Sequence, residues 1–312
     1  RGRQKRTNRE FVLKLPGRPM LALLLMSILW GYGWTALKIG LLDAAPFGFT
    51  ALRMSLGAFC LLIMLPLTGR PFLPQRVPEL LKLAMVQTSL LFTLSTWAIA
   101  EGQAGRVAFM IYTMPFFTLL LAWPLLGERV KGLQWVAIGM AGLGLFAIIQ
   151  PWQMSGSYAG NVLAIGAGVT WGVGAIMVKQ LQAREPMDLL SMTAWQMIFG
   201  CVPLFLLAFF ITEPAIVWSP RFISTLFLIS VVITALGWSL WMYALANLEA
   251  GTASLGTLAA PLVAMASSAI IFGERPDLIE IAGMVMIALA LLVLSVHSMR
   301  SGGIAANVTA AD

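Results

Sequence analysis

The chain has 312 residues, 59% of them hydrophobic and 11% charged, against roughly 45 to 50% apolar and about 25% charged in a soluble domain. That balance excludes a water-soluble globular protein. The net charge of +7 does not mark a nucleic-acid surface, because seven of the twenty basic residues (Arg1, Arg3, Lys5, Arg6, Arg9, Lys14 and Arg18) crowd into the first eighteen positions, where they read as a cytoplasmic anchor beside a lipid bilayer.

Residues 1–19 form that basic segment. Ten mainly apolar windows follow, at 20–41, 46–67, 80–99, 106–126, 132–150, 159–179, 189–212, 222–246, 250–272 and 278–298, each near the length of about 20 residues that crosses a bilayer as a helix. The first lacks a small-residue cleavage site and is expected to stay in the membrane. Connections such as Thr68-Gly69-Arg70-Pro71 and Glu213-Pro214 are short and turn-rich, leaving no room for a soluble domain between spans. Residues 299–312 form a small, polar cytoplasmic tail.

With the N-terminus inside, fifteen basic residues fall on the inner side and four (Lys38, Arg106, Arg221 and Arg275) on the outer, while Arg53 lies within a span. This asymmetry, with an even number of spans, predicts both termini in the cytoplasm and a multi-pass protein of a bacterial inner membrane.

Trp30-Gly31-Tyr32-Gly33, with Lys38 eight residues after the Trp, is matched by Trp171-Gly172-Val173-Gly174 with Lys179 at the same spacing. Pro115, twelve residues before Gly127-Glu128-Arg129, is matched by Pro261, twelve before Gly273-Glu274-Arg275. Trp97-Ala98-Ile99-Ala100 and Ala104-Gly105 fall opposite Tyr243-Ala244-Leu245-Ala246 and Ala250-Gly251, each 146 positions on. Residues 20–150 and 159–298 therefore read as two copies of one five-helix unit. Five is odd, so the second copy enters the membrane from the opposite side, and inverted repeats of this kind support inward-open and outward-open states of similar energy around a central site.

Two five-helix units, a WGxG start to helices 1 and 6 and a Pro-to-GER ending in helices 4 and 9 resemble the EamA-like branch of the drug/metabolite transporter superfamily over about residues 20–298. The resemblance implies a basket of helices 1 to 4 and 6 to 9 around a central cavity, with helices 5 and 10 peripheral and at a homodimer contact. It further implies a carrier of a small-molecule substrate, with export of amino acids or related metabolites as the family-level expectation. A channel or scaffold is the alternative from another class. No HExxH and no paired mid-span carboxylates support an enzyme.

Trp30, Trp34 and Trp171 lie near mid-helix, away from the interfacial belts where Trp usually sits. Trp30 and Trp34, four apart, share a face. Trp238 and Trp241 on helix 8, Tyr112 on helix 4 and Trp97 on helix 3 are expected to complete an aromatic lining suited to flat or apolar groups, with core filling as the alternative. Helix 3 carries Gln87, Thr88, Ser89, Thr93, Ser95 and Thr96, whose polar groups need partners in lipid. Gln87 and Thr93 are the substrate-facing candidates.

Arg53 would cost about 2.5 to 3.5 kcal/mol at the bilayer centre, so an anionic partner is expected, either Glu101 or the carboxylate of a transported solute. Gln196 occupies its approximate repeat position. Lys38 and Lys179 are expected to snorkel to opposite interfaces. Pro115 and Pro261 are candidate hinges, since each removes a backbone hydrogen bond. Gly127 and Gly273 are expected to end their helices in left-handed caps, with Glu128 and Glu274 near the N-termini of helices 5 and 10. Cys60 and Cys201 read as small buried hydrophobes, His297 as a surface group, and no metal or cofactor is called for.

Overall fold

The computed structural model describes residues 17–152, 158–247 and 258–309. Most of the basic N-terminal segment, Ala250-Gly251 of the repeat and the last residues of the tail lie outside them. Apart from the connecting turns and loops, the described residues are helical, with no strand among them. Helices α1 (Arg18–Gly40), α2 (Pro46–Leu67), α3 (Val77–Glu101), α4 (Ala104–Leu126) and α5 (Leu133–Ile149) form the first repeat. The second holds α6 (Tyr158–Arg184), α7 (Leu189–Phe210), α8 (Pro220–Phe227, Leu228–Leu236 and Gly237–Asn247), α9 (Ala259–Phe272) and α10 (Leu278–Thr309). Eight of these meet the length and apolarity of a membrane span, and α5 and α9 are shorter apolar helices.

Local chemistry sets the boundaries. α1 and α2 begin with Pro in the first turn, where a missing N–H costs nothing. Gly127 and Gly273 end α4 and α9 at φ of 71° and 66°, the left-handed cap predicted from the sequence. Asp188 and Ser219 cap α7 and α8 by accepting from the N–H groups of Ser191 and Phe222.

Helix contacts repeat under exchange of the two halves. α1 packs on α9 and α8, and correspondingly α6 packs on α4 and α3; α2 lies against α8 as α7 lies against α3; α2·α7, α4·α9 and α5·α10 pair across the repeats. Wider π-helical turns occupy Ala84–Leu90 in α3 and Leu228–Leu236 in α8, positions 146 apart at their C-terminal ends. Such bulges re-aim side chains and often mark functional sites.

Small residues permit these approaches. A Cβ at Gly57 would lie 2.9 Å from Thr234, and one at Gly200 would lie 2.4 Å from Thr88, the repeat equivalent of Thr234. Gly144 and Gly283 bring α5 and α10 so close that a Cβ on either would meet the other's carbonyl oxygen at 2.7 or 2.6 Å. In lipid, where apolar burial drives little, close packing of this kind supplies the association between helices.

Candidate functional site

α1 passes between two aromatic groups, one turn apart. Trp34 meets Tyr112 of α4 edge-on at 6.2 Å, and Tyr112 meets Trp171 of α6 at 5.7 Å. Trp30 meets Trp238 and Trp241 of α8 at 5.7 and 6.1 Å. The slot for Trp30 exists because position 237 is Gly, where a Cβ would lie 2.5 Å from Trp30 Nε1. Both groups draw rings from the two repeats, which places them where the repeats meet.

Tyr112 stands at a break in α4. The helix runs over Ala104–Ile111, turns at Tyr112 and Thr113, and resumes as Met114–Leu126. Pro115 lies in the first turn of the resumed helix, not mid-helix, because a proline clashes with the carbonyl four residues back and opens the turn before it. Thr113 Oγ1 donates to the Met110 carbonyl, which also accepts the Thr113 N–H in the turn at the break. Irregular backbone at membrane depth is tolerated where it is enclosed by protein or lines a cavity, and broken spans are a usual setting for carrier sites. Pro261 is buried in the first turn of α9, the equivalent place.

α3 presents its polar run in two ways. Ser95 donates to the Leu91 carbonyl at 2.7 Å, and Ser89 to the Gly200 carbonyl at 2.9 Å, tying α3 to α7. Gln87 lies against Gly174, one turn inward of Trp171, with its Oε1 buried and unpartnered. Thr93 is half-buried. Trp97 joins neither aromatic group: it is 38% exposed and stacks edge-on against Phe47 at 5.5 Å on the α2 side.

Arg53 is 5% exposed. Its Nη2 donates to Thr96 Oγ1 at 3.2 Å, its guanidinium lies 5.0 Å over the Phe92 ring, and its Nε has no partner. Among the described residues no carboxylate pairs with it, and Glu101 sits exposed at the end of α3. The expected pair with Glu101 is absent because Phe92 and Thr96, four apart on α3, face Arg53 of α2, and Glu101, five residues beyond Thr96, lies off that stripe. Gln196, at the matching depth in the second repeat, is likewise buried with an unpartnered Oε1.

The two lysines each meet a carboxylate of the other repeat at a helix end. Lys38 Nζ binds Glu274 at 2.5 Å and donates to the Gly102 carbonyl at 3.0 Å, while Lys179 binds Glu128 at 2.5 Å. Each pair joins one repeat to the GER segment of the other. Glu274 also accepts from the N–H groups of Ala104 and Gly105, so it caps α4 and not α10, whose N–H groups at Ile279 and Glu280 go to Asp277. The signal for these pairs was present in the sequence, since Lys and Glu recur with the repeat, but intrachain spacing could not show that they meet across it.

A model of the EamA-like transporter family matches residues 17–150 and 158–296, one copy per repeat. The chain belongs to the EamA-like transporter family. An uncharacterized transporter of Bacillus subtilis, YvbV, is 29% identical over 95% of this chain and 98% of its own. Probable amino-acid metabolite efflux pumps of Salmonella typhimurium and Escherichia coli are 26% and 25% identical, over 89% and 86% of this chain and 94% and 92% of theirs. A crystal structure at 15% identity, covering 92% of this chain and 99% of that one, superposes with a TM-score of 0.65 and shares the fold. This EamA-like transporter is thus a multi-pass membrane protein of the drug/metabolite transporter superfamily, with a small-molecule substrate.

Proposed function

We propose that this transporter exports an amino acid or a related carboxylate-bearing metabolite across the bacterial inner membrane, by alternating access of repeats 20–150 and 159–298 about a central site. One observation carries the reading: Trp34, Tyr112 and Trp171, drawn from both repeats, converge at the break in α4. Aromatic faces and Gln87 would hold the body of the solute. Arg53, a buried cation with no carboxylate partner among the described residues, would take its carboxylate, since an intramembrane charge is retained where function uses it. Trp30, Trp238 and Trp241 would form the neighbouring wall, and Pro115 and Pro261 would act as hinges. The efflux pumps at 25 to 26% identity bear names that agree with such a cargo.

The test is counterflow in proteoliposomes against a panel of amino acids and uncharged analogues. Saturable counterflow, with a half-saturating concentration raised about tenfold or more in Trp171→Ala, supports the proposal. A large unsaturable current would make the protein a channel, and absence of flux for every solute would leave the scaffold reading.

A further inference from the structure

The α1·α9 and α6·α4 contacts are repeat equivalents, yet they differ in tightness. On the side facing out by the charge rule, a Cβ at Gly31 would lie 2.5 Å from the Ala260 carbonyl oxygen and 2.6 Å from Val263 Cβ. One turn further out Thr35 and Ser267 hydroxyls meet at 2.6 Å, and beyond them Lys38 meets Glu274. On the inner side Gly172, equivalent to Gly31, would bring a Cβ only to 3.1 Å from Thr118 Oγ1 and 3.2 Å from its backbone nitrogen. Beyond it lies Lys179 with Glu128.

The same ion pair therefore occurs twice, in two environments. Lys38 and Glu274 side chains are 25% and 8% exposed, whereas Lys179 and Glu128 are 59% and 50% exposed. The outer pair is also embedded in backbone: Glu274 receives N–H groups at the start of α4, and Lys38 reaches the Gly102 carbonyl that precedes it. Further links across the repeats close the same side, Arg106 with Glu280 at 2.6 Å and Asp43 with Arg221 at 2.7 Å, their carboxylates 8% and 6% exposed.

We infer that the two Lys–Glu pairs are alternating latches, Lys38–Glu274 holding the outer mouth shut in the conformer described here and Lys179–Glu128 doing so for the inner mouth in the opposite conformer. This rests on the carrier reading only for its purpose, since the pairs, their burial and their symmetry stand without it. A buried, multiply bonded carboxylate is worth more than an exposed pair, which contributes little in water. The latch that is buried thus selects the state, and the repeat symmetry makes the other latch its competitor.

The test needs no substrate. Thr35→Cys is placed beneath the outer latch in a background of Cys60→Ala and Cys201→Ala, and its alkylation by a membrane-impermeant maleimide is timed from outside in right-side-out vesicles. Glu274→Gln and Lys38→Met, each checked for a monodisperse elution profile, are expected to raise the rate at least about fivefold. Glu128→Gln, which weakens the opposing latch, is expected to lower it. A smaller rise in both outer-latch variants, or a rise in Glu128→Gln, overturns the inference. Because labelling is read without cargo, a wrong cargo would leave this result unchanged, and a failed latch would leave counterflow unchanged in kind.

Discussion

Replacing Arg53 by Met removes a cation that is 5% exposed and bonded only to one neutral hydroxyl and one aromatic face. The bond to Thr96 is worth roughly 1.5 to 3 kcal/mol, and the contact with Phe92 about 0.5 to 2 kcal/mol. Against them stands an insertion cost of about 2.5 to 3.5 kcal/mol. The terms nearly cancel, so the ligand-free stability of Arg53→Met should stay within about 2 kcal/mol of the parent. Loss of one partner from a true buried ion pair would instead cost roughly 3 to 5 kcal/mol. Ligand binding should respond differently. A buried charge pair between Arg53 and a carboxylate contributes about 2 to 5 kcal/mol when one partner is truncated, which is roughly thirtyfold to several thousandfold in Kd. A carboxylate-bearing solute at 100 times its Kd stabilises the parent by about 2.7 kcal/mol, and a Kd weakened roughly thirtyfold or more should leave less than about 0.9 kcal/mol of that in the variant. Scanning fluorimetry in detergent, with the solute and its methyl ester side by side, reads both quantities. Retained stabilisation by the carboxylate in Arg53→Met, or equal stabilisation of the parent by acid and ester, would refute the assignment.

Gly31→Ala should force α1 from α9, since the new methyl meets backbone and a Cβ at 2.5 and 2.6 Å. Overpacking of this order costs about 1 to 3 kcal/mol, so outer labelling should rise roughly 5- to 150-fold, whereas Gly172→Ala should have a smaller effect of opposite sign. Trp171→Ala, which loses the ring contact with Tyr112, should raise the half-saturating solute concentration about tenfold or more, measured by counterflow; Trp97→Ala, on the exposed side of α3, should leave it nearly unchanged. The Arg221 guanidinium hydrogen-bonded to Asp43, with Ser219 in support, holds the Asp43 carboxyl below the usual carboxylate range. A lowered value means that its contribution to outer closure is complete above about pH 4, the ordinary aspartate value, and is lost as pH falls through the lower one. Outer labelling, divided at each pH by that of a fully exposed control cysteine to remove the thiolate dependence of the maleimide reaction, should therefore be flat from neutral to mildly acid pH and climb only in stronger acid, while Asp43→Asn should be fast throughout.

The ten helices and their doubling were legible because both are one-dimensional signals: apolar length fixes a span, and recurrence of Trp-Gly-x-Gly and Gly-Glu-Arg fixes the repeat. The left-handed caps at Gly127 and Gly273 were equally local. Position along a helix is likewise one-dimensional, so Trp30, Trp34 and Trp171 could be placed near mid-helix from spacing alone. What spacing does not give is the direction around the helix. Trp97 is one residue past Thr96, a step of about 100°, and that step turns it from the side of Arg53 to the exposed face against Phe47. The lysine pairs were hidden for a different reason. Lys38 and Glu274 are 236 residues apart, and a partner at that separation is chosen by the packing of one repeat on the other.

That choice carries the functional argument further than the motifs do. A repeat duplicated in sequence need not be duplicated in conformation: Lys38–Glu274 is buried where Lys179–Glu128 is exposed, and Gly31 is pressed where Gly172 has room. If the two halves had identical surroundings, the molecule would be symmetric and neither mouth would be favoured. Under the latch proposal, exchanging these unlike environments would generate a second state with the same set of contacts on the other side. The energy difference between the two states is then set by the small departures from symmetry, of which Glu128→Gln and Glu274→Gln are the most direct probes.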